Sequence, residues 1–150
     1  MCPQASGAGG GGKGGAQPYK DHDTAFNIVS PPTINVWYPQ MHDFNARVIW
    51  CCVFQVNDEA AAHSLQVRWT IDGNLYVVTI PAAANAAIYY IYRSIRPSGG
   101  GTDGLDYSAT LFNAGYYVDK RGLDFLVEIQ ITDVPGTNQG IAAMVTYETS

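Results

Sequence analysis

The sequence predicts an all-β, antiparallel fold, a β-sandwich or jelly roll of about eight to nine strands. Short apolar runs recur at intervals of roughly 8 to 15 residues, with turn residues between them. Within several runs apolar and polar residues alternate with a period of two, and no stretch shows the period of an amphipathic helix. A chain of 150 residues fits one domain of this kind.

The clearest local pattern is a β-hairpin in the middle of the chain. Leu65–Ile71 alternates apolar and polar residues, as in a strand with one buried and one solvated face. Asp72 and Gly73 then supply the positive φ angles that a tight turn requires. Leu75–Ile80 is predicted to be the returning strand.

Two segments are apolar on both faces, which predicts that other groups pack on each side of them. Val48–Phe54 is continuously apolar and is expected to be a central strand. Ala87–Ile95 is expected to be central or to lie at an interface, because large side chains fall on both of its faces. These are Tyr89 and Ile91 on one face, and Ile88, Tyr90 and Tyr92 on the other.

Two further strands are predicted before Val48–Phe54 and two after Ala87–Ile95. Ala25–Ser30 and Thr33–Tyr38 flank Pro31 and Pro32 and are expected at a sheet edge, because proline cannot donate to a ladder. A long exposed loop is predicted at Pro97–Gly104. Strands with a weaker pattern are predicted after it, at Tyr107–Phe112 and Tyr116–Val118.

The chain is predicted to end in a second hairpin. Phe125–Thr132 and Ile141–Glu148 both alternate apolar and polar residues. Pro135 and Gly136 suit the two central positions of a type II turn between them.

Residues 1–17 are expected to form a flexible arm in front of a β-sandwich domain at 18–150. They contain seven of the sixteen glycines and cannot offset their ordering entropy by burying apolar surface. A second interpretation is that the arm becomes ordered on assembly, along a neighbouring subunit. Its candidate contact residues are Gly9, Gly10, Gly11, Gly12 and Lys13.

Composition excludes some partners. The net charge is −5 and only eight Lys and Arg are present, which argues against nucleic-acid binding. No apolar run approaches the roughly 20 residues that span a bilayer, so no membrane partner is expected. Cys2, Cys51 and Cys52 do not form a disulfide framework, and the adjacent pair is expected to be buried as thiols.

No residues point to catalysis, a cofactor or a metal. The candidate metal ligands lack ligand spacing, and His42 and His63 are interpreted as surface histidines. No Gly-x-Ser-x-Gly elbow occurs, the glycine run lacks the ending of a phosphate-binding loop, and no carboxylate pair is singled out. The metal candidates were the groups Asp21-His22-Asp23, His42-Asp43 and Cys51-Cys52-His63.

The aromatic residues give the clearest indication of function. Ten tyrosines and a charged fraction of 14% suit a protein that contacts other protein or sugar surfaces. The predicted interface residues on the domain are Tyr89, Tyr90, Tyr92 and Met144. A carbohydrate-binding module that stacks sugars on exposed Tyr and Trp is the alternative, and a small sandwich enzyme with an unrecognised carboxylate pair is a third.

Three segments carry a resemblance to a known family: Thr70–Gly73, Ile88–Tyr92, and Gly136–Gln139 leading into Ile141–Tyr147. Over Leu65–Ser150 the chain resembles small β-sandwich virion proteins of tailed bacteriophages, either capsid decoration (cement) proteins or fibre-associated proteins. The resemblance implies a structural protein of the virion, made in the host cytoplasm, with no catalytic residues. It also implies a homo-oligomer, with a trimer as one candidate stoichiometry, that binds capsid or other virion proteins.

Overall fold

The structure, a computed structural model, describes residues 20–94, 104–110 and 121–149, with the backbone alone at 20–25, 94 and 121. The predicted all-β antiparallel fold is confirmed. Within the described ranges no helix is long and apolar enough to cross a membrane. The eight strands are β1 (Lys20–Phe26), β2 (Tyr38–Val56), β3 (His63–Ile71), β4 (Asn74–Ala83), β5 (Tyr89–Ser94), β6 (Gly104–Ser108), β7 (Arg121–Ile131) and β8 (Gly140–Thr149).

The 19-residue strand β2 organises the sheet. Its N-terminal half pairs with β7, and its C-terminal half pairs with β8 on one edge and β5 on the other. Register shifts between Pro39 and Met41 and between Val48 and Trp50 interrupt its ladders. Because such bulges bend a strand, the halves of β2 belong to two layers of one continuous sheet.

We call the two layers A and B. Layer A contains β1, β8, the C-terminal half of β2, β5 and β6, and layer B contains the N-terminal half of β2, β7, β3 and β4. The layers share one core, in which Trp69 of layer B lies against the thiol of Cys51 in layer A. Since β4 also approaches β6, the sheet is nearly closed into a barrel.

The predicted central hairpin is confirmed. Strands β3 and β4 pair from Ile71 and Asn74 outwards, and side chains of β3 alternate between buried and half-buried positions. The turn residues Asp72 and Gly73 have φ angles of 52° and 85°. Both central residues are therefore left-handed, as a tight hairpin turn requires.

The second hairpin is a wrong prediction. Strands β7 and β8 do not pair with each other, because β2 lies between them and bonds to both. The type II turn is also wrong: the left-handed residue of the connection is Asn138, with a φ angle of 52°, rather than Gly136. Alternation identified the strands correctly but carried no information about which strands are neighbours.

Other boundaries also differ from the prediction. The strand predicted at Thr33–Tyr38 does not form, and β2 begins where it was expected to end. The strand at Ala25–Ser30 lies earlier, as β1, with only an isolated bridge at Val29 beyond it. The arm, the segments 95–103 and 111–120, and with them Tyr116–Val118, lie outside the described residues.

A buried amide network ties three connections together at one end of the sandwich. Gln55 is fully buried and donates to the carbonyl oxygens of Ala61 and Ala83 at 2.9 and 3.0 Å. Its own oxygen accepts from the side-chain amides of Asn57 and Gln139 at 2.9 and 2.8 Å. Each of these polar groups would be costly to bury without its partner.

The substitution Gln55→Leu is expected to lower the free energy of unfolding by about 3 kcal/mol, because it leaves several buried polar groups without partners. Gln66→Leu is the matched control, with an expected loss of under about 1 kcal/mol. Gln66 is half-buried on the sheet surface and makes two side-chain hydrogen bonds, to Thr79 and Gln130, against the four of Gln55, so fewer polar groups lose a partner. Urea unfolding of both variants measures the difference, and equal losses would contradict this role for the network.

Candidate functional site

The outer surface of layer B is mixed: bonded polar pairs lie across β3 and the end of β7, and Leu75 and Val77 of β4 are exposed beside them. Side chains of β3 and β7 form cross-strand hydrogen bonds along it. Thr132 donates to Ser64 at 2.6 Å, and Gln130 donates to Gln66 at 2.6 Å. The third pair is an ion pair between Arg68 and Glu128 at 2.8 Å, where the Arg68 guanidinium also stacks on Trp37.

The outer surface of layer A is apolar instead. The register places Phe26 of β1 beside Met144 of β8, then Cys52 of β2, then Tyr90 of β5. Residues two positions away on the same strands share this side of the sheet. We define the apolar outer face as Phe26, Ile28, Trp50, Cys52, Phe54, Tyr90, Ala142 and Met144.

The apolar outer face has a buried centre and an exposed rim. Ala142 is fully buried and Cys52 nearly so. Around them the rings of Phe26 and Phe54 stack with centroids 6.0 Å apart, and Trp50 meets Tyr90 edge-on at 6.2 Å.

At the rim of this face, Phe26 and Ile28 are 47% and 51% exposed. The face is thus only partly covered by the domain that carries it.

The predicted interface residues separate into two groups. Tyr90 and Tyr92 alternate with core residues and point outwards, and Met144 is half-buried on the same side. Tyr89 points inwards: it is buried, accepts the N–H of Ala84 at 2.8 Å, and is therefore not available to a partner. Gly9 to Lys13 lie outside the described residues.

Sequence reasoning missed Phe26, Ile28 and Phe54 as members of this face. Phe54 belongs to the run that was predicted to be apolar on both sides, and this period-two signal could have identified it. Nothing local in the sequence places Phe26 beside it. Their contact depends on β8, which lies between the two strands.

The expectation that Cys51 and Cys52 are buried as thiols is confirmed, and neither forms a disulfide; Cys2 lies outside the described residues. They face opposite sides of layer A, because successive strand residues alternate. Burial, with a further contribution from Cys52, raises the pKa of the Cys51 thiol far above its ordinary value. Cys51 is therefore not a nucleophile at neutral pH.

His63 is buried, not a surface residue as predicted, because two loops enclose it. Its Nδ1 atom contacts Asp133 at 3.0 Å, and its Nε2 atom is buried without a partner among the residues that the structure describes. A Cβ atom at Gly136 would stand 2.3 Å from Oε1 of Glu59 and 3.1 Å from Nε2 of His63. The imidazole is thus enclosed between the two loops.

His42 lies on the surface, as predicted, although in β2 rather than in a loop. Its Nε2 atom lies at hydrogen-bond distance from Oδ1 of Asp124, 2.7 Å away on the exposed surface. Over residues 20–94, 104–110 and 121–149, no group of three His, Cys, Asp or Glu side chains is arranged to hold a metal ion. The side chains of Asp21-His22-Asp23 are not described.

Two loops close over His63 through carboxylates. Thr137 donates its hydroxyl to Glu59, and Asn138 donates to Asp58. The hydrogen bonds from the hydroxyl and backbone N–H of Thr137 lower the pKa of Glu59 below its ordinary value of 4.5. Because the folded chain binds this proton less tightly, the stabilisation is present above pH 4.5 and is lost as the pH falls through the lower folded value.

We therefore expect Glu59→Gln to be less stable than the wild type at pH 7, with a difference that shrinks as the pH is lowered below 4.5. Thermal unfolding of both proteins across this pH range measures the difference in stability. Because position 59 no longer titrates in Glu59→Gln, the pH dependence of this variant reports all the other groups and serves as the control. A stability difference that stays constant or grows on acidification would contradict the assignment.

Comparison with known proteins gives no relative: no family model matches the chain, and searches of curated proteins and of solved structures find no significant match.

Proposed function

We propose that this chain is a structural, non-enzymatic virion protein. It assembles as a homo-oligomer and binds or cements a capsid or tail surface through the apolar outer face and the N-terminal arm. The observation that carries this proposal is the contrast between the two layers. On layer B, bonded polar pairs separate the exposed Leu75 and Val77 at the edge strand from the rest of the surface, whereas on layer A aromatic and aliphatic side chains adjoin one another across β1, β8, β2 and β5.

The cost of leaving this face in water supports the proposal. Phe26 and Ile28 each expose roughly half of their surface, on the order of 100 Å² each. At about 25 cal/mol per Å², covering each side chain is worth about 2 kcal/mol before ordering costs. Contiguous apolar surface of this kind on a soluble domain is typical of a site that contacts another macromolecule.

The resemblance to phage decoration and fibre-associated proteins supplies the biological setting of the proposal. Those proteins hold neighbouring subunits together without catalysis. The low charge fraction and the glycine-rich segment before β1 fit that role. Location in the virion, and capsid or other virion proteins as partners, follow from this resemblance.

Carbohydrate binding is the alternative function. It would use aromatic rings at the surface, and on the apolar outer face Phe26 is exposed while Trp50 and Tyr90 are half-buried. The two functions differ in what they require of the oligomeric state. A sugar platform acts as a monomer, whereas the structural role needs contacts between copies.

The double substitution Phe26→Ser, Ile28→Ser tests the proposal by size-exclusion chromatography with light scattering. We expect the wild type to be oligomeric and the variant to dissociate at concentrations at least tenfold higher, because it lacks the exposed apolar rim. The matched control is Leu75→Ser, Val77→Ser, which removes two exposed apolar side chains from layer B. It is expected to behave as the wild type.

A wild type that is monomeric at every concentration would contradict the proposed assembly. Tryptophan fluorescence, measured while the same samples are titrated with oligosaccharides, distinguishes carbohydrate binding from the structural role. A saturable change in monomeric protein would favour the carbohydrate-binding function.

A further inference from the structure

The two loops that enclose His63 carry three carboxylates. Asp58 and Glu59 lie in the connection between β2 and β3, and Asp133 lies in the connection between β7 and β8. These loops, residues 57–62 and 132–139, contain no lysine or arginine. Their negative charge is therefore not neutralised from within the loops, and it favours a cation at this end of the domain. Carboxylates alone do not define a site, but the imidazole beside them supplies a second type of ligand.

The imidazole of His63 is held with one nitrogen directed at these loops. The residue is only 8% exposed, and its Nδ1 atom lies 3.0 Å from Oδ1 of Asp133. When the Asp133 carboxylate accepts the Nδ1–H of the neutral ring, the lone pair of the imidazole is on Nε2. That atom is buried and has no hydrogen-bond partner among the residues that the structure describes. A buried lone pair of this kind is a position where an ion or a water molecule binds.

Three electron-pair donors converge beside Gly136. Outside its neighbours in the chain, the atoms nearest to the position that a Cβ atom would take there are Oε1 of Glu59, Nε2 of His63 and Oε1 of Gln139. All three stand within 3.4 Å of that position. Because glycine has no Cβ, the backbone can approach these donors closely without a side chain between them.

Hydrogen bonds direct the two oxygen donors towards Gly136. The side-chain amide of Gln139 donates to Gln55 at 2.8 Å, and its oxygen accepts the N–H of Gly136 at 3.3 Å. A carbonyl oxygen of this type has a second lone pair for another partner. The Oε2 atom of Glu59 accepts the hydroxyl of Thr137, so that Oε1 is the oxygen beside His63 and Gly136.

We propose that this cluster binds a divalent transition-metal ion of the Zn²⁺ type, with Nε2 of His63, Oε1 of Glu59 and Oε1 of Gln139 as ligands. Imidazole nitrogen is a preferred ligand of Zn²⁺ and related ions, whereas Mg²⁺ and Ca²⁺ prefer oxygen ligands. Asp133 then has the role of the outer carboxylate that accepts the second ring N–H of a metal-bound histidine and fixes its orientation.

The donor set fits such an ion at neutral pH. Hydrogen bonds from Thr137 lower the pKa of Glu59, so its carboxylate is already ionised, as a metal ligand must be. The third ligand is an amide oxygen. The set therefore differs from the groups of three His, Cys, Asp or Glu side chains, which are absent over residues 20–94, 104–110 and 121–149.

A metal ion at this position would join the β2–β3 connection to the β7–β8 connection. Through Gln139 it would also adjoin the buried amide network of Gln55. Because the unfolded chain does not hold these distant ligands together, the ion binds the folded state and stabilises it. The inference concerns an end of the domain away from the apolar outer face, so it does not depend on the proposed function.

Zinc titration of the full chain tests the site. The protein is first treated with a chelator, and Cys2→Ser is used as the background so that this thiol does not bind the metal. We expect one Zn²⁺ per chain by calorimetry. We also expect a rise of about 5 to 10 °C in the unfolding midpoint when Zn²⁺ is about 100-fold above its dissociation constant. Mg²⁺ at the same concentration is expected to leave the midpoint unchanged.

Substitutions locate the binding, because the chain has only three histidines. His63→Gln and Glu59→Gln are expected to lose the zinc-induced rise in the midpoint. His22→Gln, His42→Gln and Asp58→Asn are the matched controls and are expected to keep it. Each variant is compared with its own metal-free form, so that a change in its basal stability does not enter the comparison.

Nuclear magnetic resonance of the histidine ring nitrogens gives the same information without a substitution at the site. Zinc is expected to shift the Nε2 resonance of His63 and to leave the ring nitrogens of His22 and His42 unchanged. Three results would overturn the inference: no saturable zinc binding, binding that persists in His63→Gln, or zinc-induced shifts confined to the other two histidines. None of them affects the proposed assembly, which light scattering tests separately.

Discussion

The hydrogen bonding of β2 to strands on both of its edges determines most of this structure. Its N-terminal half bonds to β7 in layer B, and its C-terminal half bonds to β8 and β5 in layer A. Ala46 and Arg47, at the centre of the strand, pair with β7 on one edge and with β8 on the other. Without this shared strand the two layers would be separate sheets, joined only by the packing of their inner faces.

The central position of β2 also explains why the outer surface of layer A is apolar. A strand at the centre of a two-layer domain normally has one apolar face, but the segment Val48–Phe54 has two. Its inner face contributes Cys51 and Val53 to the core, and its outer face contributes Trp50, Cys52 and Phe54 to the apolar outer face. In β8, Met144 extends this surface towards β1. The surface is therefore built into the strands that hold the domain together.

Features that depend on local pattern could be predicted from the sequence. The β3–β4 hairpin follows from the alternation of Leu65–Ile71 and from the left-handed turn at Asp72 and Gly73. The burial of Cys51 and Cys52 follows from the apolar run that contains them. Each of these features is determined by a few neighbouring residues and by the period of a strand.

Features that depend on long-range pairing could not be predicted. The early half of β2 reads as polar, because His42, Asp43 and Asn45 interrupt it, yet its ladder to β7 keeps it extended. The separation of β7 from β8 requires β2 to lie between them, which no local pattern indicates. The burial of His63 likewise depends on Asp133 and Gly136, about 70 residues away. Of the predicted interface residues, Tyr90 and Met144 lie on the apolar outer face; Phe26 and Ile28 join it only through the pairing of β1 with β8, which no local pattern indicates.

The central claim is that the apolar outer face is covered in the assembled state. Hydroxyl-radical footprinting of the monomeric chain and of the proposed oligomer tests it most directly, because Phe, Tyr and Met side chains all react when exposed. The account predicts that labelling of Phe26, Tyr90 and Met144 falls several-fold on assembly, while Leu75 and Val77 on layer B remain labelled. Unchanged labelling of Phe26 and Met144, with or without protection of layer B, would contradict it.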